Sequence, residues 1–249
     1  MMEIYGFPSQ AFWRSFEIDL LQQLHFERPI LEVGCSNGAF TRQACGFVET
    51  AIDINPKSLR LAERSGVFGV VRLQDASTLN AADGFRTILM NSVIEHIPNP
   101  ARVLESSFLA LQAGGKVVLT IPLVDMNAHL LFQSRRWIEF RRQRLAHVNL
   151  FPIEQWIALL EAAGFRVEQA RRYLSPAQIK LWDIMDAFAM IGTSRFNLGG
   201  IGYKLGEYAP AFLKRPVHNL IARALRSSLI MQGERDGCAA LFVASKDAA

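Results

Sequence analysis

The chain has 249 residues, half of them hydrophobic and 20% charged, a balance that supports a sizeable core and excludes a disordered or collagen-like chain. A formal charge of +4 permits contact with phosphates or anionic lipid, but it is sparser than the basic stripe of a nucleic-acid-binding surface. Three cysteines without a CxxC pair make neither a disulfide framework nor a zinc site, so a reducing, cytoplasmic setting is expected.

The opening Met1–Pro8 has neither the basic run nor the apolar run of a secretory leader, and none is expected. Phe12, Phe16, Leu20 and Leu24 fall on one stripe and predict an amphipathic helix over Ser9–His25, with Ser9 as its N-cap. Short apolar runs at Ile30–Val33, Ala51–Ile54, Val70–Leu73, Thr87–Met90 and Lys116–Ile121 read as strands buried on both faces. Helical stretches around Ala39–Phe47, Pro56–Arg64 and Pro100–Leu111 alternate with them. The second and third open with proline, which suits a first helical turn, and Ala113–Gly115 reads as the C-cap of the third. Pro152–Ala163 is a further amphipathic helix closed by Gly164, and Phe165–Tyr173 and Ala239–Ser245 are the last strands. Residues 174–237, between those strands, form a helical, glycine-punctuated insertion. Its run Leu181–Ile191 carries Asp183 and Asp186, so nothing here spans a membrane. The expected organisation is an N-terminal helical segment (1–27), a core (28–173), a helical insertion capping the substrate (174–237), and the last strand with its tail (238–249). Such alternation predicts an α/β sheet with helices on both faces.

Ligands of open parallel sheets sit at the carboxyl ends of the strands. There the stretch Pro29–Phe40, PILEVGCSNGAF, runs an apolar strand into Glu32 and sets Gly34 and Gly38 four residues apart at a helix start. Glycines there let backbone approach a ligand, and a helix N-terminus favours a carboxylate. Asp53, at the end of the second strand, can accept hydrogen bonds from both ribose hydroxyls. Asp75, after the third, stands where an adenine amino group needs an acceptor. Three acids at three consecutive strand ends fit a nucleotide cofactor better than solvated turns. A dinucleotide fingerprint needs a third glycine, whereas Ala39 and Phe40 follow Gly38 here, against an NAD-dependent dehydrogenase. A pyrophosphate gains nothing from Glu32, but an ammonium or sulfonium does, which points to S-adenosylmethionine.

These pieces, in this order, resemble a class I S-adenosylmethionine-dependent methyltransferase of the small-molecule branch that includes the ubiquinone-biosynthesis O-methyltransferases. The matching segments are LEVGCSNGAF, AIDINP, QDAS, ILMNSVIEHIPNPARVLE, LQAGGKVVLTIP and HVNLFPIEQWIALLEAAGF, covering roughly residues 28 to 172, plus the last strand. The resemblance implies a Rossmann-like seven-stranded sheet with an antiparallel last strand and a helical insertion before it. It also implies cofactor contacts from Glu32, Gly34, Cys35, Ser36, Gly38, Asp53, Ile54, Asp75, Ala76 and Asn91. Among these, Gly34 and Gly38 would cradle the methionine part, and Asn91 would line its methionyl end. Ser36 stands where the family usually has glycine, a small change that binding is expected to tolerate.

Methyl transfer from a sulfonium is an in-line displacement, in which positioning supplies much of the acceleration. A hydroxyl acceptor also needs a base, and histidine is the usual one. His96, after the fourth strand, and His147, after the fifth, are the candidate catalytic residues, each with packing as its plainer role. Some quinone O-methyltransferases hold a divalent metal with Glu-x-x-Glu-His; Ser92 takes the first acid's place here, and no metal is expected. His25, His129 and His218 read as structural or exposed, and Cys35 as a packing residue. Ser134–Arg144, basic with interleaved aromatics, is either a solvated helix face or a surface for phosphate or membrane. Together with the run Leu213–Arg226 it favours a small-molecule, glycan or lipid-linked acceptor and leaves peripheral membrane contact open. Nucleic acid is not an expected partner, since NSVIEH after the fourth strand has no base-flipping Asn-Pro-Pro-Tyr signature. Methyl transfer to oxygen is the function expected. The alternative is a non-catalytic cofactor-binding module acting as an assembly partner, which would not need Gly34, Gly38, Asp53 and Asp75 together.

Overall fold

A computed structural model of the protein describes residues 8–189 and 236–247. Helix α1 (Pro8–Leu21) leads into β1 (Ile30–Val33), α2 (Ala39–Ala44), β2 (Val48–Asp53), α3 (Pro56–Ser65) and β3 (Phe68–Leu73). Then come β4 (Phe85–Asn91), α4 (Pro100–Ala110), β5 (Leu111–Pro122), α5 (Arg135–Arg144) and α6 (Ile153–Ala162). The described chain closes with β6 (Arg166–Tyr173), α7 (Pro176–Ala189) and β7 (Ala239–Ser245). Among the described residues the strands form one seven-stranded sheet in the order β3-β2-β1-β4-β5-β7-β6. β7 runs antiparallel to both β5 and β6, while the other neighbouring pairs are parallel. This is the Rossmann-like architecture expected.

Side chains alternate across a strand, and that period sorts the core into two layers. Leu31, Val33, Ile88, Met90, Leu119 and Phe242 pack with Val103 and Leu104 of α4 and Trp156 and Leu160 of α6. Leu89, Val118, Leu241 and Val243 lie in the other layer, with Phe12, Phe16 and Leu21 of α1 and Ile179 and Trp182 of α7. Each such side chain contributes roughly 1.5–3 kcal/mol on full burial, so packing rather than propensity holds α1 against the sheet. Local signals set the ends of α3: the Asn55 side chain accepts from Lys57 N, Pro56 opens the helix, and Gly66 closes it at φ +66°. The order of strands reverses between β1 and β4, and a cleft at a reversal of this kind receives the ligand.

Some local expectations are corrected. Ser9 lies within α1, where its hydroxyl donates to Asp186 at 3.0 Å instead of capping. Val70–Leu73 is not buried on both faces: β3 is an edge strand, and Val70 and Leu73 are exposed. α4 ends at Ala110 and passes directly into β5, so Ala113–Gly115 lies in the irregular start of a strand rather than in a helix cap. α2 stops at Ala44, short of Phe47. Within α5 a solvated face holds for Arg135, Arg136, Arg142 and Arg144 but not for Arg141. That guanidinium is buried between Asp183 (2.7 Å) and Asp186 (2.6 Å) of α7, so the two aspartates that interrupt the apolar run are core ion-pair partners. No helix among the described residues is long and apolar enough to cross a membrane. His218 and the runs Ile201–Gly206 and Leu213–Arg226 lie outside the described residues.

Candidate active site

β1 turns sharply at Gly34, whose φ of +75° is left-handed. A Cβ there would stand 2.5 Å from Val93 Cγ2, so the turn is closed to other residues by space as well as by conformation. Ser36 also holds a left-handed φ, +49°, without being glycine. Its N–H donates to Asp53 Oδ2 at 3.3 Å, which ties the loop to the end of β2. Asp53 Oδ1 in turn accepts from Asn55 N at 2.8 Å, fixing the carboxylate at the strand end. Ile54 follows, an aliphatic side chain 74% exposed beside that acid. Asp75 caps the short turn Ala76–Thr78 through a 2.8 Å bond from Ser77 N, with Ala76 buried behind it.

Glu32 is buried and accepts a 2.6 Å bond from Thr41 Oγ1. Burial pushes its carboxyl up to about 8, so it carries a proton at neutral pH, and a cation beside it would favour the charged form. Burial, with Glu32 and Asp53 nearby, pushes Cys35 up to about 12, which keeps it a thiol and fits a packing role. A desolvated acid, a fixed carboxylate at a strand end and an exposed aliphatic side chain have the chemistry to meet an ammonium, a ribose and an adenine ring, the groups expected from the sequence.

On the α1 side of the cleft stands a residue that the sequence reading passed over. Glu17 is fully buried and accepts from Trp13 Nε1 (2.8 Å), Arg14 Nη1 (2.6 Å), Ser92 Oγ (2.6 Å), Asn91 Nδ2 (3.1 Å) and Tyr173 OH (3.2 Å). Asn91 Oδ1 accepts from Thr120 Oγ1 at 2.7 Å, so the amide expected at the methionyl end is oriented from both sides. Ser92 sits at φ +49°, a second non-glycine left-handed residue at a strand end in this cleft, where strain of that kind tends to gather. The signal was an acid four residues after Trp13 on the buried side of α1, where a solvated acid has no place.

Next to this network lies a cavity of about 230 Å³. Gln10, Trp13 and Arg14 of α1 line it together with Ser92, His96 and His147. The two histidines, 51 positions apart in sequence, are brought together by main-chain bonds. Val148 N and Asn149 N both donate to Glu95 O at 2.9 Å, and His96 Nδ1 lies 2.9 Å from Ala146 O. The ring centroids are 5.4 Å apart. A carbonyl can only accept, so His96 Nδ1 carries the hydrogen and Nε2 keeps its lone pair in the neutral ring. Burial, then His96 and Arg141, push His147 down to about 4, which keeps it neutral near pH 7 and makes it a weaker base than a free imidazole. Glu95 is buried and pushed up to about 8 by desolvation, with Oε1 3.7 Å from His96 Nε2. Glu95, His96 and His147 offer ligand atoms within 4.8 Å of one another, a spacing open to a metal ion. Ser92, at the position of a further acid, gives its hydroxyl to Glu17 instead.

A methyltransferase-domain model matches residues 10–170. The chain belongs to that family. Its members are class I S-adenosylmethionine-dependent methyltransferases, and S-adenosylmethionine is the cofactor. The ubiquinone biosynthesis O-methyltransferase of Xanthomonas euvesicatoria pv. vesicatoria is 30% identical over 99 residues, 36% of this chain and 41% of that protein. The match therefore spans well under half of that relative's length. Among solved structures, a Thermotoga maritima S-adenosylmethionine-dependent methyltransferase, described as a possible histamine N-methyltransferase, superposes with TM-score 0.59 at 17% identity. That match covers 96% of this chain and 91% of the other. Phosphoethanolamine N-methyltransferase 2 of Haemonchus contortus, in complex with S-adenosylmethionine, gives TM-score 0.58 at 16% identity, covering 94% of this chain and 52% of that one. At those identities the likeness is one of fold.

Proposed function

We propose that the chain transfers the methyl group of S-adenosylmethionine to a hydroxyl oxygen of a small-molecule, glycan or lipid-linked acceptor. The observation that carries this reading is the pair His96–His147 in a cavity at the end of β4: an oxygen acceptor must lose a proton, and a neutral imidazole has a nitrogen lone pair to receive it. The cavity volume of about 230 Å³ suits one ring with its substituents rather than a protein side chain carried on its backbone, or a nucleic acid. The O-methyltransferase name of the Xanthomonas relative agrees with oxygen as the accepting atom. In this reading the cofactor supplies an electrophilic methyl group. Gly34 and Ser36 shape its turn, Asp53 holds the ribose, Asp75 and Ile54 meet the adenine, and Glu32 faces the ammonium.

Calorimetric titration with S-adenosylmethionine tests the binding half. Asp53→Ala is expected to weaken binding by about 1–3 kcal/mol through lost charge-assisted hydrogen bonds. An unchanged dissociation constant removes Asp53 from the site. Tight binding without any turnover over a broad acceptor set would favour the non-catalytic module.

A further inference from the structure

The end of α5 is a backbone turn that meets both histidines of the cavity. After Leu145 caps the helix, Ala146 N donates to Gln143 O and His147 N to Arg142 O, each at 3.1 Å. Bonds in that order form a Schellman cap, whose left-handed position usually holds glycine. Here Ala146 holds it, at φ +54°, a conformation that a Cβ disfavours. We propose that Ala146 is a positioning residue for proton transfer: its left-handed backbone aims a carbonyl at His96 Nδ1, leaving Nε2 as the nitrogen that can receive a proton, and the same turn sets His147 beside that ring.

Ala146 O lies 2.9 Å from His96 Nδ1. A carbonyl only accepts, so it fixes the hydrogen on Nδ1, the opposite of what a free neutral ring prefers. Nε2 then lies 3.7 Å from Glu95 Oε1, and Glu95 lines the cavity together with both histidines. Further bonds hold the turn in place. Val148 N and Asn149 N donate to Glu95 O at 2.9 Å, and the side-chain amide of the buried Asn149 donates to Ile97 O. The two neighbours of His96 in sequence are thus tied to the residues that follow the cap. Ala146 itself is exposed, so its side chain can be changed without opening the core. A proton leaving the acceptor oxygen, as the methyl–sulfur bond breaks and the methyl–oxygen bond forms, has Nε2 to enter. The Nδ1–H bond to the carbonyl then orients and steadies the cationic ring that results.

This inference rests on the reading of transfer to oxygen, and two readouts keep their failures apart. One is the tautomer of His96, read near neutral pH by nitrogen NMR of histidine-labelled protein and assigned with His96→Gln. The other is methyl label passed from S-adenosylmethionine to the small-molecule fraction of native-cell extract. The wild type is expected to hold His96 in the Nδ1–H form. Ala146→Val, whose β-branched side chain resists the left-handed region, should mix the tautomers and slow transfer about 10–100-fold. Its calorimetric dissociation constant for S-adenosylmethionine should stay within about two-fold of wild type, which shows an intact fold. Ala146→Gly, at ease in that region, should recover the tautomer and most of the lost rate. Where Ala146→Val does not bind the cofactor, Asn149→Ala, which frees the loop from Ile97 O, takes its place with the same expectation. A wild-type His96 with its hydrogen on Nε2 overturns the assignment. So does a variant that mixes the tautomers at full rate, or one that slows transfer with the tautomer unchanged. Label that reaches small molecules on nitrogen, carbon or sulfur alone contradicts the oxygen reading itself, and the positioning role with it.

Discussion

At the scale of residues, the cleft is organised by acids whose charge state depends on what lies beside them. Glu32 and Glu95 are both desolvated and pushed up to about 8, while Glu17 is buried among donors. In the proposed transfer to oxygen, the histidines pose a separate question, which of them takes the acceptor's proton. A base must be unprotonated, and a pKa lowered to about 4 leaves His147 in its base form at all higher pH. Turnover of wild type, His96→Ala and His147→Ala across pH is therefore the measurement, and at least one variant should lose about 10²-fold or more. A low-pH limb with its midpoint near 4 that vanishes in His147→Ala assigns the base to His147. A limb that vanishes only in His96→Ala assigns it to His96. Unchanged rates and profiles in both variants mean that positioning alone drives transfer. Chelation should leave the wild-type rate unaltered; loss of activity that a divalent cation restores would turn Glu95, His96 and His147 into ligands.

At the scale of elements, α5 divides its arginines between two tasks. Arg141 faces inward to Asp183 and Asp186 and clamps α5 to α7. Outward, Phe132 and Phe140 are 54% and 46% exposed around Trp137, with ring centroids 5.1 and 5.5 Å from the indole, and Arg136 lines the same hollow. Exposed aromatic rings rimmed by arginine are the composition of an interfacial helix. Peripheral contact with anionic lipid then predicts co-sedimentation with phosphatidylglycerol vesicles, weakened at least several-fold in Phe132→Ser/Phe140→Ser and in high salt. Equal recovery of wild type and variant, or no recovery on anionic vesicles, contradicts that contact. The basic-aromatic pattern of 134–144 was readable in advance, but which arginine turned inward was not. That depended on Asp183 and Asp186, more than forty positions away.

At the scale of the whole molecule, the sheet was legible because parallel strands covered on both sides read as unbroken apolar runs between proline- and glycine-marked helices. Ile30–Val33 and Ala239–Ser245 fall where those runs predict. β3 escaped because an edge strand keeps β-forming residues while facing solvent, so its burial cannot be read from composition. The strand-end positions Gly34, Asp53 and Asp75 were equally visible, each within a local motif. Glu17 was not, since its partners Asn91, Ser92 and Tyr173 are joined to it only by the closed sheet. The same closure sets the cavity with His96 and His147 between α1 and the end of β4, and the proposed methyl transfer to a small acceptor depends on this joining. The most direct test incubates the purified chain with methyl-labelled S-adenosylmethionine and fractionated extract of the native cell. Label should enter the small-molecule or lipid fraction, and Asp53→Ala should reduce it in proportion to its weaker cofactor binding. Label confined to protein or nucleic acid, or cofactor bound without label leaving it, would contradict the account.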